Sequence, residues 1–314
     1  MAQNFVIGID LGGTNTKIGL LDSHLKIKKK VIFPTQKFAG RDNLINAVCS
    51  NIKKLLYEYR ISKGEISGIG IGLPGPIDAK RGVVHYFPNI RGFKNVSLAK
   101  LIRAKTGISA LIDNDVNLIT LAEFKLGAGR FSHNMVCLTL GTGVGGGIIV
   151  EGQLYRGSSG SAGELGHIPV SFGGPKCGCG ATGCLESYIG NNRILRKAHK
   201  SFGNIKLEEL SRKAKEGNRE AKKLWQDVGK CLGLVLCGVV NFFNPDTIVI
   251  GGGISGAGSI LFNSVKNVIK KRAMVPSRNI VKIVKARLGQ DAGIIGAGLL
   301  VLEREGLGLN KRVS

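Results

Sequence analysis

Apolar residues in this chain fall into short runs separated by longer amphipathic stretches. The runs at 5–9 (FVIGI), 66–71 (ISGIGI), 110–112 (ALI), 135–140 (MVCLTL) and 247–250 (TIVI) have the length and β-branched content of buried strands. Between them lie helical patterns, such as 43–59 and the basic amphipathic stretch 210–233. Alternation of this kind predicts an α/β protein. Residues 16–21 and 26–33 follow the first strand, expected over 4–11, too closely for a crossover helix, so an antiparallel continuation and a mixed sheet are expected. A helix is expected after Asn114 and Asp115, over 116–127, and the strand MVCLTLG then opens a second unit. Each half begins with a strand and a glycine-rich turn, IGIDLGGTNTKIG and LTLGTGVGGGIIV, a weak internal repeat that suggests duplicated units around a cleft.

Length and composition sharpen this picture. At 314 residues, with 43% hydrophobic and 21% charged residues, the chain suits a globular protein of about two domains. No secretory leader is expected, because the strand pattern begins almost at once. No membrane span is expected either, because VLCGVVNFF is cut short by Asn244, Pro245 and Asp246. Four of the seven cysteines, Cys49, Cys137, Cys231 and Cys237, sit in apolar surroundings, which fits buried thiols in a reducing, cytoplasmic compartment. The net charge of +24 and pI near 10.0 come from lysine-rich clusters at 26–30, 193–200, 212–230 and 266–287. Solvated helix faces account for such clusters; the functional alternative is attraction for nucleic acid or a phosphate polymer.

The remaining cysteines belong to the segment ELGHIPVSFGGPKCGCGATGCLE, residues 164–186. His167, Cys177, Cys179 and Cys184 make a full tetrahedral donor set for zinc, and a zinc ligated only by protein braces a loop rather than attacking a substrate. Interspersed Gly178, Gly180 and Gly183 permit the turns that aim several sulfurs at one point.

Phosphate chemistry is suggested by the glycine turns. Asp10 stands beside Gly12, Gly13 and Thr14, where exposed amides could hold phosphate oxygens and a carboxylate could hold hydrated Mg²⁺. The turn with Thr142 and Gly143 repeats this in the second half, and a third turn, with Gly251, Gly252, Gly253 and Gly256, follows strand TIVI. GTGVGG and GGGISG also match the dinucleotide fingerprint as strings, but neither has its context. A nucleoside triphosphate is the better fit. Asp113 and Asp115 in IDNDVN compete as general base for a hydroxyl attacking a γ-phosphate, against the plainer role of helix cap. The loops GLPGPID and HYFPNIRGF offer Asn89 as a polyol-binding amide.

Together GIDLGGTNTKIG, GIGLPGPID, PNIRGF, DNDVN, GTGVGGGII, GELGHIPV, CGCGATGCLES and IVIGGGIS resemble, in order and over nearly the whole chain, the ROK family of repressors and sugar kinases, especially its ATP-dependent glucokinases. The resemblance implies two ribonuclease H-like domains of the actin/hexokinase ATPase type around a central cleft. Their expected bounds are 1–116 plus a returning C-terminal helix at 297–314, and 117–296 carrying the zinc loop. It implies Asp115 as catalytic base for a sugar 6-hydroxyl, with Gly75, Asn89, Asn114, Glu164, His167 and Glu186 around the sugar. Asp10, Gly12, Gly13, Thr14, Thr142 and Gly143 would meet the ATP phosphates and Mg²⁺, and Gly252 and Gly253 the adenosine. One ring nitrogen of His167 would bind Zn²⁺ while the other reaches a sugar hydroxyl.

The expected activity is phosphorylation of a hexose, foremost glucose, by a cytoplasmic homodimer, with no membrane or nucleic-acid partner. Alternatives are an N-acetylmannosamine or N-acetylglucosamine kinase, a polyphosphate-using glucokinase, and a sugar-responsive regulator. The family's regulators carry a helix-turn-helix module ahead of the first glycine turn, where nine residues precede Asp10 here. One departure is Phe93, where many of the family's glucokinases carry tryptophan.

Overall fold

The computed structural model describes residues 5–38, 40–87, 90–304 and 306. Contacts divide the chain into two units. The first is Met1–Lys125, Arg156–Ser161 and Gln290–Ser314; the second is Leu126–Tyr155 and Ala162–Gly289.

In the first unit, strands β1 (Phe5–Leu11), β2 (Asn15–Leu21) and β3 (Ile27–Pro34) form an antiparallel meander, followed by helix α1 (Arg41–Glu58) and β4 (Ile66–Leu73). A small sheet of β5 (Ile77–Asp78), β6 (Val83–Tyr86) and β7 (Lys94–Val96) comes next, then α2 (Leu98–Thr106), β8 (Ala110–Asn114) and α3 (Asp115–Leu126). The main sheet has the order β3-β2-β1-β4-β8, with β4 and β8 parallel to β1.

The second unit repeats this plan. Strands β9 (Met135–Leu140), β10 (Val144–Val150) and β11 (Gln153–Tyr155) form the meander; helices α4 (Leu185–Ile189), α5 (Asn191–Phe202), α6 (Leu207–Lys215) and α7 (Arg219–Phe243) lead to β12 (Thr247–Gly251). Helices α8 (Ser259–Arg272) and α9 (Val275–Ile280) then precede β13 (Lys282–Lys285). Its order, β11-β10-β9-β12-β13, with β12 parallel to β9 and β13 parallel to β12, matches the first sheet strand for strand. The two glycine turns that suggested a repeat occupy the same β-hairpin in each copy.

The last helix, α10 (Ala292–Arg304), returns to the first unit and lies across β1 and β4. Glycines make room for it. Gly8, Gly19 and Gly70 are cross-strand neighbours, and a Cβ on Gly8 or Gly70 would run into the backbone carbonyl of Ile294 or Ala297. On the opposite face of the sheet Ile7, Ile9, Ile18, Ile69 and Ile71 are fully buried against Leu44, Val48 and Ile52 of α1, and the second core centres on Trp225, Leu232, Leu236 and Ile250. Burying each such side chain contributes about 1.5–3 kcal/mol. Helix α7 is long and apolar enough to cross a membrane by composition, but half of its apolar window is buried, with Trp225, Leu232 and Leu236 inside and α8 packed along it. That is the pattern of a core helix.

Candidate functional site

In the first unit the register of the sheet brings the candidate residues to one strand end. Asp10 pairs with Gly72 and Gly72 with Asp113, so the turn after β1 and the start of α3 lie along the same edge. The turn is tight: Gly12 N donates to Asn15 O at 3.1 Å, and a Cβ on Gly12 would press on that oxygen at 2.9 Å. Thr35 clamps it from β3's end, its amide donating to Thr14 O at 2.9 Å and its hydroxyl to Gly12 O at 2.7 Å. Asp10 is not solitary there. Lys17 Nζ donates to its Oδ2 at 3.0 Å and to Gln290 O at 3.1 Å. Sequence reasoning passed over Lys17, although the hairpin register sets it directly opposite Asp10.

The two aspartates that compete in IDNDVN have different surroundings. Asp113, 3% exposed, takes Asn114 N at 2.8 Å and Asn117 Nδ2 at 3.2 Å on Oδ1, and Arg156 Nε at 2.8 Å and Nη2 at 2.5 Å on Oδ2. A carboxylate so fully occupied is a structural anion. Asp115 begins α3, is half-buried, and accepts Val116 N at 2.9 Å on Oδ1. The helix is capped one residue earlier by Asn114, whose Oδ1 accepts Val116 N at 2.9 Å and Asn117 N at 3.2 Å. Gly75, just beyond β4, adopts φ 102°, a conformation that favours glycine. Asn89 lies outside the described residues.

In the second unit His167, Cys177, Cys179 and Cys184 present ligand atoms all within 4.8 Å of one another. Four donors around a tetrahedral zinc stand about 3.8 Å apart for two sulfurs and about 3.6 Å for sulfur and nitrogen, from ordinary Zn–S and Zn–N lengths. Here Cys179 Sγ and Cys184 Sγ are 3.7 Å apart, and Cys177 Sγ and His167 Nδ1 are 3.5 Å apart. The donor set fits zinc. Burial raises Cys177, and burial reinforced by the other sulfurs pushes Cys184 up to about 11, so the thiols resist ionising together until a cation joins them.

Backbone bonds build this knuckle. Cys177 N donates to Ala181 O at 2.8 Å, Val170 N to Gly183 O at 2.8 Å, and Leu185 N to Ile168 O at 2.9 Å. Gly180 and Gly183 have φ of 96° and 76°, which ties the CGCGATGC spacing to the turn it makes. Glu164 and His167 lie in a single helical turn pressed onto β10 at Gly146, and His167 Nε2, on the far side of the ring from the sulfurs, faces Glu164 Oε2 at 3.8 Å.

Glu186 Oε2 accepts Val144 N at 2.9 Å, which fastens it to the turn of Thr142 and Gly143. That turn is exposed and closes through Gly141 N to Gly143 O at 2.9 Å. Gly252, at φ 81°, backs so closely on Leu140 that no side chain fits, while Gly253 faces open space. The second and third glycine turns are therefore neighbours at the end of β9 and β12, as the parallel pairing of those strands requires.

The paired β-meander units, phosphate-sized turns and aspartate at a strand-to-helix junction define a sugar kinase fold of the actin/hexokinase ATPase class. The chain belongs to the ROK family, whose model matches residues 6–304. It is 36% identical over 317 residues to the glucokinase of Thermotoga maritima, covering 96% of this chain and 98% of the other. Among solved structures, a ROK family glucokinase from Streptomyces griseus in complex with glucose and AMPPNP aligns with a TM-score of 0.82 at 28% identity, covering 95% of this chain and 99% of that one. A ROK family transcriptional regulator, homolog of the E. coli MLC protein, aligns with a TM-score of 0.87 at 26% identity, covering 96% of this chain and 78% of that one.

Proposed function

We propose that this protein is an ATP-dependent hexose kinase that phosphorylates the 6-hydroxyl of glucose. The observation that carries the reading is the placement of Asp115: it begins α3, half-buried, directly after Asn114, which caps the helix, on the strand edge where the register lines up Asp10, Gly72 and Asp113. Asp115 accepts the hydroxyl proton as the oxygen attacks the γ-phosphorus, and the leaving ADP takes the bridging electron pair. Amides of the turns at Gly12–Gly13 and Thr142–Gly143 hold phosphoryl oxygens, and Lys17 holds the Asp10 carboxylate in place. Mg²⁺ bound beside Asp10 would neutralise phosphate charge. Asn114, Glu164, His167 and Glu186 orient the sugar, and zinc on the knuckle would lock the His167 ring by its Nδ1.

The relatives named as glucokinases support glucose over the N-acetylhexosamines and ATP as donor. We further infer a cytoplasmic homodimer. Exposed apolar side chains at Phe242, Met274 and Val275, 94%, 65% and 53% exposed, support a dimer surface, and Asn241 holds Met274 N at 2.9 Å beside them. Sedimentation equilibrium tests that inference; a Phe242→Lys variant should shift the protein to monomer.

Asp115→Asn tests the base. Turnover should fall by about 10²–10⁴ while glucose affinity and melting temperature stay near wild type. Activity retained within a fewfold would overturn the assignment.

A further inference from the structure

Glu186 stands between the metal knuckle and the turn that meets the phosphoryl donor. From the first turn of α4, its Oε2 accepts Val144 N at 2.9 Å, and its Oε1 lies 3.7 Å from Cys177 Sγ. The turn rests on this carboxylate so tightly that a Cβ on Gly143 would approach Oε2 to 2.8 Å. The flanking positions are tied to the same segment: Asn191 N donates to Gly141 O at 2.9 Å, and a Cβ on Gly190 would meet Thr142 O at 3.0 Å. Each residue from 141 to 144 is thus seated against residues 186–191, a segment that begins two residues after the metal ligand Cys184.

Glu186 also lines a hollow of about 120 Å³, with Thr142, Lys176, Cys177 and Arg193 in its wall. Arg193 Nη2 donates to Lys176 O at 2.8 Å, so this cationic wall is itself anchored on knuckle backbone. Lys176 and Arg193 thus set two cations in the wall of this hollow, groups able to attract phosphate oxygens.

We propose that Glu186 is a positioning residue for the phosphoryl donor, and that zinc on the knuckle sets nucleotide affinity through it even when no sugar is present. The inference rests on the kinase reading and adds a second role to a residue expected only at the sugar. A merely sugar-binding Glu186 would leave nucleotide binding alone; a strut between knuckle and turn would not.

Calorimetric titration with AMPPNP and Mg²⁺, without sugar, decides between these in four states: wild type and Glu186→Ala, each zinc-loaded and zinc-stripped. Zinc-loaded Glu186→Ala should bind about tenfold more weakly than wild type, the loss expected for one charge-assisted bond. Stripping the wild type should cause a similar loss, and stripping the variant should add nothing, because both changes release the same turn. Glu186→Gln, whose amide oxygen can still accept Val144 N, should stay within about twofold of wild type when zinc-loaded. Hydrogen exchange over residues 141–147 should quicken in stripped wild type and in Glu186→Ala, independently of any ligand.

Unchanged AMPPNP affinity on stripping, or strictly additive losses, would overturn the proposal. So would a Glu186→Ala variant altered only in glucose affinity. Failure of the zinc-loaded wild type to bind AMPPNP at all would instead overturn the kinase reading beneath it. Should Glu186→Ala fold poorly, the stripped wild type and Glu186→Gln still separate a strut from a sugar ligand.

Discussion

Arg156→Met would isolate the ion pair between the half-exposed Arg156 and the buried Asp113 at the candidate catalytic edge. Arg156 bonds Asp113 through both Nε and Nη2, and Asp113 is 3% exposed while Arg156 is 36% exposed. Removing the guanidinium leaves Oδ2 without those donors, while Oδ1 keeps Asn114 N and Asn117 Nδ2. Breaking a buried pair costs about 3–5 kcal/mol, chiefly because the surviving charge is stranded. The outer part of Arg156 is open to water, so water can partly replace it and the lower figure, about 3 kcal/mol, applies. For a unit of this size that is about 6–12 °C of melting temperature, readable by circular dichroism at pH 7. Adding Asp113→Asn to Arg156→Met removes the stranded charge and should recover about half of the loss or more. A single variant within about 1 kcal/mol of wild type, or a double variant no more stable than the single, would show that the stranded charge is not what matters at this edge.

Other consequences follow from single contacts. Gly70→Val should destabilise the first unit by about 3 kcal/mol or more, because its Cβ would fall on the Ala297 carbonyl and push α10 off the sheet; urea unfolding measures this. In the second unit burial pushes Asp246 upward, but the amides of Asn134 and His133 and the Thr247 hydroxyl outweigh it and hold the carboxyl below its usual range. Its stabilising contribution is therefore complete at neutral pH and is lost as pH falls below about 4. The gap in urea midpoint between wild type and Asp246→Asn should narrow on acidification, and a gap that widens would contradict this. Chelating zinc should abolish glucose binding, followed by calorimetry, at concentrations of chelator that leave the far-ultraviolet circular dichroism intact.

Much of this was legible in the chain because the signals were local. The knuckle could be read from spacing, since Cys177 and Cys179 flank one glycine, Cys184 follows after a four-residue turn bounded by Gly180 and Gly183, and His167 lies just upstream. The strands could be read from their apolar runs, and the repeat from two glycine turns that share a hairpin. Other features depend on distant partners. Nothing near Asp113 in the sequence announces that Arg156, 43 positions away, will bond its carboxylate. Lys17 was within reach, because counting back across the hairpin sets it opposite Asp10. The return of α10 left its local trace in small residues, among them the glycines at positions 8, 19 and 70, whose meaning appears once the register lines them up under the helix. Glu186 reads in sequence as one more carboxylate beside the cysteines; its bond to Val144 spans 42 positions.

Whether the protein is a glucose-phosphorylating kinase is answered by a coupled assay on zinc-loaded protein with ATP and Mg²⁺ against glucose, mannose, fructose, N-acetylglucosamine and N-acetylmannosamine. The highest kcat/KM should be with glucose. Absence of turnover with every one of these sugars would contradict the kinase assignment.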